Sequence, residues 1–442
     1  MYNGLRFGFS ADIPLLSYTF SPPNNPSIIE HSRIFKEIID KEFTKRRYIG
    51  LLSCMEVENT LGPFQTTPLS LVPKPGKPGK FCLVQNLSFP LYPSLSPSIN
   101  SLVDPDNFPS PYSTFSIVVL VLLSLPPGSQ GAVRDVAEAY RTIPLHPSQW
   151  HALVVRLSES ESAIDTSTCF SFGPSGSIYG NVGSAGADIM CATGIGSILR
   201  WVDNHLFIRI PTSQLANYNC LRNTAADQIK IHGGPMTKGG HLWFAGAPLP
   251  DDQIEEFDED FSFPLQSFLY NSPQPPSSQF FCYNISDIDH ISQELEIPWE
   301  ASKDVPFCDC PTFINFTWDL KERTVSLAEP KQVKYVSVIR DWIMRRTHTL
   351  NEIQKLHRKL THMTQIIPEG HPYLSNLEAM LSIFDNRPFL PRIPPRGTKN
   401  DLKWWLECLT SPSPPSPIST HHQAQCLSDA SSSTGVGILL NG

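Results

Sequence analysis

Several signals that would assign this chain to a class at once are missing from its sequence. The longest apolar run, residues 117–125, is far shorter than the ~20 residues that a membrane span needs. No basic segment followed by an apolar stretch stands at the N-terminus, so we expect no signal peptide. The ten cysteines include no C-x-x-C pair, and Cys308 and Cys310 are too close together for the usual zinc knuckle. These absences predict a soluble, intracellular protein without a membrane partner.

A strong excess of either charge is also missing. The 34 Lys and Arg against 42 Asp and Glu leave a net charge of −8, so the whole chain has no basic field that would attract nucleic acid. The charges are nevertheless uneven. Residues 251–260 hold seven acids and no base, whereas residues 331–362 hold eight bases and two acids. We interpret the acidic segment as an exposed insertion, and the alternative is a site for a metal or a basic partner.

The composition that is present is typical of a folded protein. With 442 residues, 40% of them hydrophobic and 17% charged, the chain is long enough for two to four globular domains. Apolar periodicity predicts helices at residues 31–49 and 329–366. Apolar segments around turn residues predict hairpins at residues 68–89, 199–208 and 311–328.

Two acids stand out by their positions. Asp135 ends an apolar strand, and Asp203, followed by Asn204, stands in a predicted tight turn between two apolar strands. Carboxylates at strand ends and hairpin turns can meet on one sheet, where such a pair can hold two Mg²⁺ ions. The alternative is that Asp203 serves only the turn, as aspartates commonly do. These residues alone leave both interpretations open.

The turn of the first predicted hairpin is rich in lysine. Lys74, Lys77 and Lys80 lie in this segment, which has no acid, so the turn could contact phosphate groups. The alternative is that the lysines simply decorate a solvated turn.

The order of the motifs resembles that of the reverse transcriptases of retroelements. The similarity covers roughly residues 30–395, and residues 423–442 resemble the start of the ribonuclease H domain that follows in such proteins. Each motif is weak alone, but six of them in this order and at these distances are specific. The six are LVPKPGKPGKFCLVQNLSFP (71–90), AVRDVAEAYRTIPLHP (132–147), CFSFGPSGSIYG (169–180), RWVDNHLFIRI (200–210), TFINFTWDL (312–320) and CLSDASSSTGVGI (426–438).

The resemblance implies an α+β fold of the right-hand polymerase type, with fingers, a palm on a small antiparallel sheet, and a helical thumb. Within the palm it implies a fingers excursion at about residues 145–175 and an acidic insertion at about 250–280. The implied divisions are an N-terminal segment with the fingers (1–110), the palm (111–325), the thumb (326–395), a linker (396–422) and the start of a truncated ribonuclease H-like domain (423–442).

The resemblance also implies an activity and its partners. The family transfers deoxynucleotides from their triphosphates onto a primer 3′-OH, on an RNA or DNA template–primer duplex, with Mg²⁺ or Mn²⁺. Asp135 and Asp203 would be the catalytic metal ligands, with Asn204 at the third catalytic position. The basic helices of the thumb would follow the phosphates of the duplex.

Further roles follow from the same resemblance. Tyr140 would be a steric gate whose ring clashes with a ribose 2′-OH. Asp429 would be the first metal ligand of the ribonuclease H-like segment, which is expected to be inactive because only its opening residues are present. The nucleotide-binding residues would be Lys80, Tyr140, Phe172 and Gly173, and the primer grip would include Phe313, Ile314, Phe316 and Trp318.

The sequence departs from the family pattern at telling positions. The palm hairpin of the family carries two acids, and here the second position is Asn204. Cys82 replaces an arginine, Asn86 an acid and Arg358 a small glycine. Because Mg²⁺ prefers charged oxygen ligands, the lost charge predicts a degenerate polymerase with weak or no activity. The alternative is a catalytically dead, nucleic-acid-binding relic of a retroelement.

Overall fold

The chain folds into a mixture of helices and short strands. A computed structural model describes residues 1–74, 77–90, 96–109, 112–231, 242–248, 254–259, 264–268, 280–384, 387–411, 416–418, 426–431 and 435–440. Two compact units share these residues. Unit 1 comprises residues 1–112, 136–189 and 297–300, and unit 2 comprises residues 113–135, 190–296 and 301–442.

The regular elements are numbered in chain order. The α-helices are α1 (Tyr2–Phe7), α2 (Ser27–Glu30), α3 (Ser32–Thr44), α4 (Cys54–Leu61), α5 (Phe115–Ser124), α6 (Ser175–Ala192), α7 (Leu215–Ile231), α8 (Ile285–Glu294), α9 (Glu329–Met344), α10 (Leu350–Met363), α11 (Ser375–Leu381) and α12 (Thr398–Thr410). The strands are β1 (Tyr48–Leu52), β2 (Leu69–Pro73), β3 (Phe81–Gln85), β4 (Gln130–Asp135), β5 (Val154–Arg156), β6 (Ser162–Asp165), β7 (Ile198–Trp201), β8 (Asn204–Arg209), β9 (Leu242–Pro248), β10 (Ile254–Glu259), β11 (Val305–Cys308), β12 (Thr312–Phe313), β13 (Phe316–Asp319), β14 (Thr324–Leu327), β15 (Ser416–Pro417), β16 (Cys426–Ser431) and β17 (Gly435–Leu440).

Unit 1 contains a three-stranded antiparallel sheet of order β1-β6-β5 and the separate hairpin β2–β3. The apolar face of α3, which includes Phe35 and Ile39, packs against residues of both, among them Tyr48 and Leu69. The helix predicted at residues 31–49 is therefore confirmed as α3. It ends earlier than predicted, because Arg46 adopts a positive φ of 56° that interrupts the helical path before β1.

Unit 2 contains a four-stranded antiparallel sheet of order β11-β4-β8-β7. Strand β4 lies between β11 and β8 and is buried from Gly131 to Asp135. Alanine and β-branched residues suit this position, because both faces of the strand are covered. The sheet thus fixes the strand end at which Asp135 stands.

Unit 2 also contains a helical region and a second four-stranded sheet. The sheet has the order β12-β13-β14-β15, which confirms the hairpin predicted at residues 311–328. Helix α10 starts with a capping box in which Thr349 N donates to Glu352 Oε2 at 2.9 Å. Helix α12 occupies part of the segment expected to be a linker (396–422). Its Trp405 is fully buried, and Gln332 Nε2 of α9 donates to the Leu409 carbonyl oxygen of α12 at 2.6 Å.

Two sequence predictions fall largely outside the described residues. Most of the acidic insertion predicted at residues 250–280 is not described, although residues 254–259 form β10, which pairs with β9. Asp429 belongs to β16, where it pairs with Gly437 of β17, but its side chain lies outside the described part. Among the described helices, none has both the length and the hydropathy that crossing a bilayer requires.

Candidate active site

The three residues predicted to be catalytic meet at one end of the β4–β8–β7 sheet. Asp135, the last residue of β4, pairs directly with Asn204, the first residue of β8. Asp203 precedes Asn204 in the tight turn between β7 and β8. Directly paired residues of an antiparallel sheet have Cα atoms about 4.5–5.5 Å apart, so the three side chains share one small region.

The turn itself differs by one residue from the sequence prediction. The sequence predicts Asp203-Asn204 at its tip, but Trp201 pairs with Asn204, so the two loop residues are Val202 and Asp203. Val202 has a φ of 56°, which β-branched residues rarely adopt. The pairing of Asp135 with Asn204 is part of a continuous β4–β8 register, and this register places Asn204 in the strand.

The two carboxylates influence each other electrostatically. Burial of Asp203, followed by the negative charge of Asp135, raises the pKa of Asp203 above its ordinary value. Asp135 is the more buried of the two, with 4% of its surface exposed. Two close, partly desolvated carboxylates repel each other, and a cation between them would relieve this repulsion.

His205 supports the backbone of the turn. Its Nδ1 lies 3.2 Å from the Asp203 carbonyl oxygen, and since that oxygen can only accept, Nδ1 is the protonated nitrogen. Burial, followed by the positive charge of Arg200, lowers the pKa of His205 to about 3. The imidazole is therefore neutral near pH 7 and adds no charge to the carboxylate pair.

Sequence reasoning missed a lysine at this site. Lys303 Nζ donates to Asp135 Oδ1 at 2.6 Å. Lys303 ends a short 3₁₀ helix at residues 301–303, just before β11. The two residues are 168 positions apart in the chain, and no local pattern marks the lysine as a partner of Asp135. The only available signal was its place next to a strand that joins the same sheet.

The residue after Lys303 forms a second ion pair with the same strand. Arg134 donates to Asp304 Oδ2 through Nη2 at 2.9 Å and through Nε at 3.1 Å, and it also pairs with Asp289. Successive side chains of a strand point to opposite faces. The pairs Arg134–Asp304 and Asp135–Lys303 therefore hold the end of β4 from both faces.

The donor set fits a magnesium-type cation. Asp135 and Asp203 supply two carboxylates, and Mg²⁺ is commonly held by one or two carboxylates together with waters and substrate phosphates. Asn204 can add only a neutral carbonyl oxygen. Within the described residues, no group of three or more His, Cys, Asp and Glu side chains is arranged as a metal site.

The predicted nucleotide-binding residues all belong to unit 1. The Tyr140 ring packs edge-on against Phe170 at 4.9 Å. Phe172 is buried in a hydrophobic cluster, so its ring supports the loop rather than facing solvent. Gly173 N donates to Asn100 Oδ1 at 2.9 Å. Lys80 is exposed in the turn of the β2–β3 hairpin, one residue before β3 begins.

In the predicted primer grip the aromatic rings are buried, and the turn residues are the more exposed part. Phe313, Phe316 and Trp318 are almost fully buried, and Trp318 Nε1 donates to the Phe313 carbonyl oxygen at 3.1 Å. The half-buried residues are those of the turn, Ile314 and Asn315, with φ values of 47° and 71°. Two positive φ values are typical of a type I′ hairpin turn.

Basic residues of α9 and α10 lie close together in unit 2. Burial, followed by the positive charges of Lys334, Lys355 and Lys331, lowers the pKa of Lys359. Arg358 is exposed on α10. Four lysines of the sequence-predicted basic segment therefore form one cationic face of two helices, with Lys331 and Lys334 on α9 and Lys355 and Lys359 on α10.

Comparisons with known proteins identify the fold. No protein-family model and no curated protein matches the chain. A structure of the foamy viral protease-reverse transcriptase in complex with RNA/DNA hybrid has a TM-score of 0.55 at 13% identity, covering 92% of this chain and 40% of that one. Its dRH form in complex with ds DNA gives 0.51 at 14% identity, covering 99% and 57%. A third structure, in complex with dsDNA, gives 0.52 at 14% identity, covering 98% and 68%.

This chain thus spans about half the length of those proteins, and its mixed helix-and-sheet fold resembles that of reverse transcriptases.

Proposed function

We propose that the chain is an RNA-directed DNA polymerase of retroelement type whose catalysis is impaired at Asn204. The observation that carries the proposal is the pairing of Asp135 with Asn204, with Asp203 in the adjoining turn. A reverse-transcriptase-like fold that brings two carboxylates to the end of its central sheet supports two-cation nucleotidyl transfer.

The proposed architecture assigns a role to each region. The sheet of β4, β7, β8 and β11 would be the palm (111–325), and the β2–β3 hairpin with Lys80 would belong to the fingers (1–110). The helices of residues 326–395 would be the thumb, with the lysines of α9 and α10 against the phosphates of a template–primer duplex. The relatives of similar fold in complex with RNA/DNA hybrid and dsDNA support such a duplex as the partner.

The chemistry would be divided among this chain's own residues. Asp135 and Asp203 would hold Mg²⁺ or Mn²⁺, which when bound lowers the pKa of a hydroxyl nucleophile and stabilises charge on phosphate oxygens. Arg134 and Asp304 would keep the end of β4 in place, and the neutral His205 would hold the Asp203 backbone. Tyr140 would exclude a ribose 2′-OH by the bulk of its ring.

Asn204 limits this site in a definable way. Replacing a carboxylate by an amide removes one full negative charge opposite Asp135 and leaves a neutral carbonyl oxygen. A change near a metal commonly costs about 10–100-fold in affinity or activity. Weak or absent extension together with retained duplex binding would follow. The alternative function, a nucleic-acid-binding relic, keeps the cationic face of α9 and α10 without chemistry.

Primer extension on an RNA template tests the proposal. The full chain is compared with Asn204→Asp, with Asp135→Asn, and with Asn400→Asp, which adds the same charge at an exposed position of α12. Asn204→Asp is expected to raise extension about 10–100-fold over the unmodified chain with Mg²⁺ or Mn²⁺. Asn400→Asp should change nothing, and Asp135→Asn should abolish extension.

Duplex binding by the same variants separates the two functions. If every variant binds a template–primer duplex and none extends it, the relic function is correct. If no variant binds the duplex or extends it, both proposals are wrong.

A further inference from the structure

The carboxylate of Asp135 is already paired with a cation that belongs to the chain. Lys303 Nζ lies 2.6 Å from Asp135 Oδ1, and the Asp135 side chain is 6% exposed whereas that of Lys303 is 57% exposed. Asp203 stands in the turn directly before Asn204, which pairs with Asp135, and Asn204 contributes no charge. Lys303 therefore cancels one of the two negative charges at this end of the sheet.

The backbone on both sides of the contact fixes Lys303 in this place. Asp304 is held by Arg134 through two hydrogen bonds, and Val305 pairs with Val133 in the sheet. The lysine therefore stands beside Asp135 because of strand register. A long surface side chain that met Asp135 only by chance would have no such contacts at the residues that follow it.

A carboxylate that is paired with an ammonium group offers less charge to a second cation. We propose that Lys303 is a built-in competitor for the divalent cation at Asp135, an inference that rests on the proposed function. Lys303 must leave the carboxylate, or share it against like-charge repulsion, when a divalent cation binds there. By linkage, the same competition makes the Lys303 amine more available when the divalent cation is present.

Direct Mn²⁺ binding to the full chain tests the competition without any activity. Bound Mn²⁺ is measured by electron paramagnetic resonance for the unmodified chain, Lys303→Met, Lys303→Arg and Lys321→Met. Lys321 is a matched control because it is an exposed lysine of the same unit, in the β13–β14 turn. Lys303→Met should bind Mn²⁺ roughly tenfold more tightly, as expected if the ion pair is closed about 90% of the time.

Lys303→Arg and Lys321→Met should bind Mn²⁺ like the unmodified chain, because the first keeps the charge and the second lies elsewhere. Equal or weaker binding by a folded Lys303→Met variant overturns the inference. Asp135→Asn distinguishes this failure from that of the proposed function. If Asp135→Asn loses Mn²⁺ while Lys303→Met changes nothing, only the competition is wrong. If Asp135→Asn binds Mn²⁺ normally, the metal site and the competition are both wrong.

A measurement on the unmodified chain avoids any effect of substitution on folding. Brief acetylation of amines, followed by mass spectrometry, reports the reactivity of Lys303 relative to Lys321. Adding MnCl₂ should increase labelling of Lys303 severalfold and leave Lys321 unchanged. Unchanged labelling of Lys303 at MnCl₂ concentrations that saturate the site overturns the inference.

Discussion

Asp135 and Asn204 face each other directly across β4 and β8, and Asp203 stands in the turn that immediately precedes Asn204. One hairpin therefore carries both the Asp203 carboxylate and the Asn204 amide that stands opposite Asp135. The geometry of its two-residue turn controls how the Asp203 carboxylate is presented to Asp135.

Val202 makes that turn energetically costly. It occupies the first loop position with a φ of 56°, where glycine is favoured and a β-branched residue is strained. We expect Val202→Gly to raise the free energy of unfolding by about 1 kcal/mol, measured by urea denaturation. Val202→Ala is the control, because alanine retains a Cβ and should gain much less. Equal stabilisation by the two variants would show that φ strain is not the cause.

The sequence predicts which strand and which hairpin carry these residues more accurately than it predicts the position of the turn. The end of an apolar strand and a polar dipeptide between two more strands allow Asp135 and Asp203 to meet, but these residues alone also allow Asp203 to serve only the turn. The turn position was wrong by one residue, because register depends on the pairing of β4 with β8 rather than on local turn preference. The sequence does not predict Lys303 as a partner of Asp135, because a partner 168 residues away leaves no local pattern.

Prediction from the sequence is limited in the same way for the aromatic residues and for the linker. The sequence predicts Phe316 and Trp318 as part of a contact surface, yet both are core residues. A sequence does not show which face of a short strand is covered. Trp405 lies within a segment expected to be a linker, but α12 buries it. The Pro/Ser-rich residues that suggested a linker begin only after this helix ends.

The ion pairs of Arg134 at the end of β4 should be stabilising contacts in their own right. Arg134 is almost fully buried, whereas Asp304 and Asp289 are 26% and 53% exposed, so solvent screens part of their attraction. Arg134→Met should lower the free energy of unfolding by about 2 kcal/mol. A double-mutant cycle with Asp304→Asn should give a coupling energy of about 1 kcal/mol. Strict additivity of the two substitutions would contradict a specific Arg134–Asp304 interaction.

Unit 1 should lose stability in acid through Glu138. Burial opposes ionisation of this carboxyl, but hydrogen bonds from Lys41, Lys45 and Arg47 outweigh it and hold the pKa of Glu138 well below its ordinary value. Because the folded pKa is the lower one, the stabilisation is complete above the unfolded pKa of ~4.3 and is lost as the pH falls below it. Glu138→Gln should therefore destabilise the protein at pH 7 and flatten the decline of stability between about pH 5 and pH 3.

Glu37→Gln is the control for that pH profile. Glu37 makes an exposed ion pair with Arg33 on α3, and such pairs contribute little. Thermal unfolding at several pH values should leave this variant parallel to the unmodified chain. If Glu138→Gln also runs parallel, the three cations do not stabilise the ionised form of Glu138.

The cationic face of α9 and α10 predicts how duplex binding depends on salt. Burial and the positive charges of Lys334, Lys355 and Lys331 lower the pKa of Lys359, so these four lysines lie close together. Each lysine that contacts a phosphate releases about one counterion on binding. Substituting Lys334 or Lys359 by Met should weaken binding of an RNA/DNA duplex and reduce the slope of log K against log salt by about 0.9. Lys321→Met should leave the slope unchanged. Fluorescence anisotropy between about 50 and 200 mM NaCl covers the range in which such contacts are resolved. Equal slopes for all three variants would show that this face does not contact the phosphates.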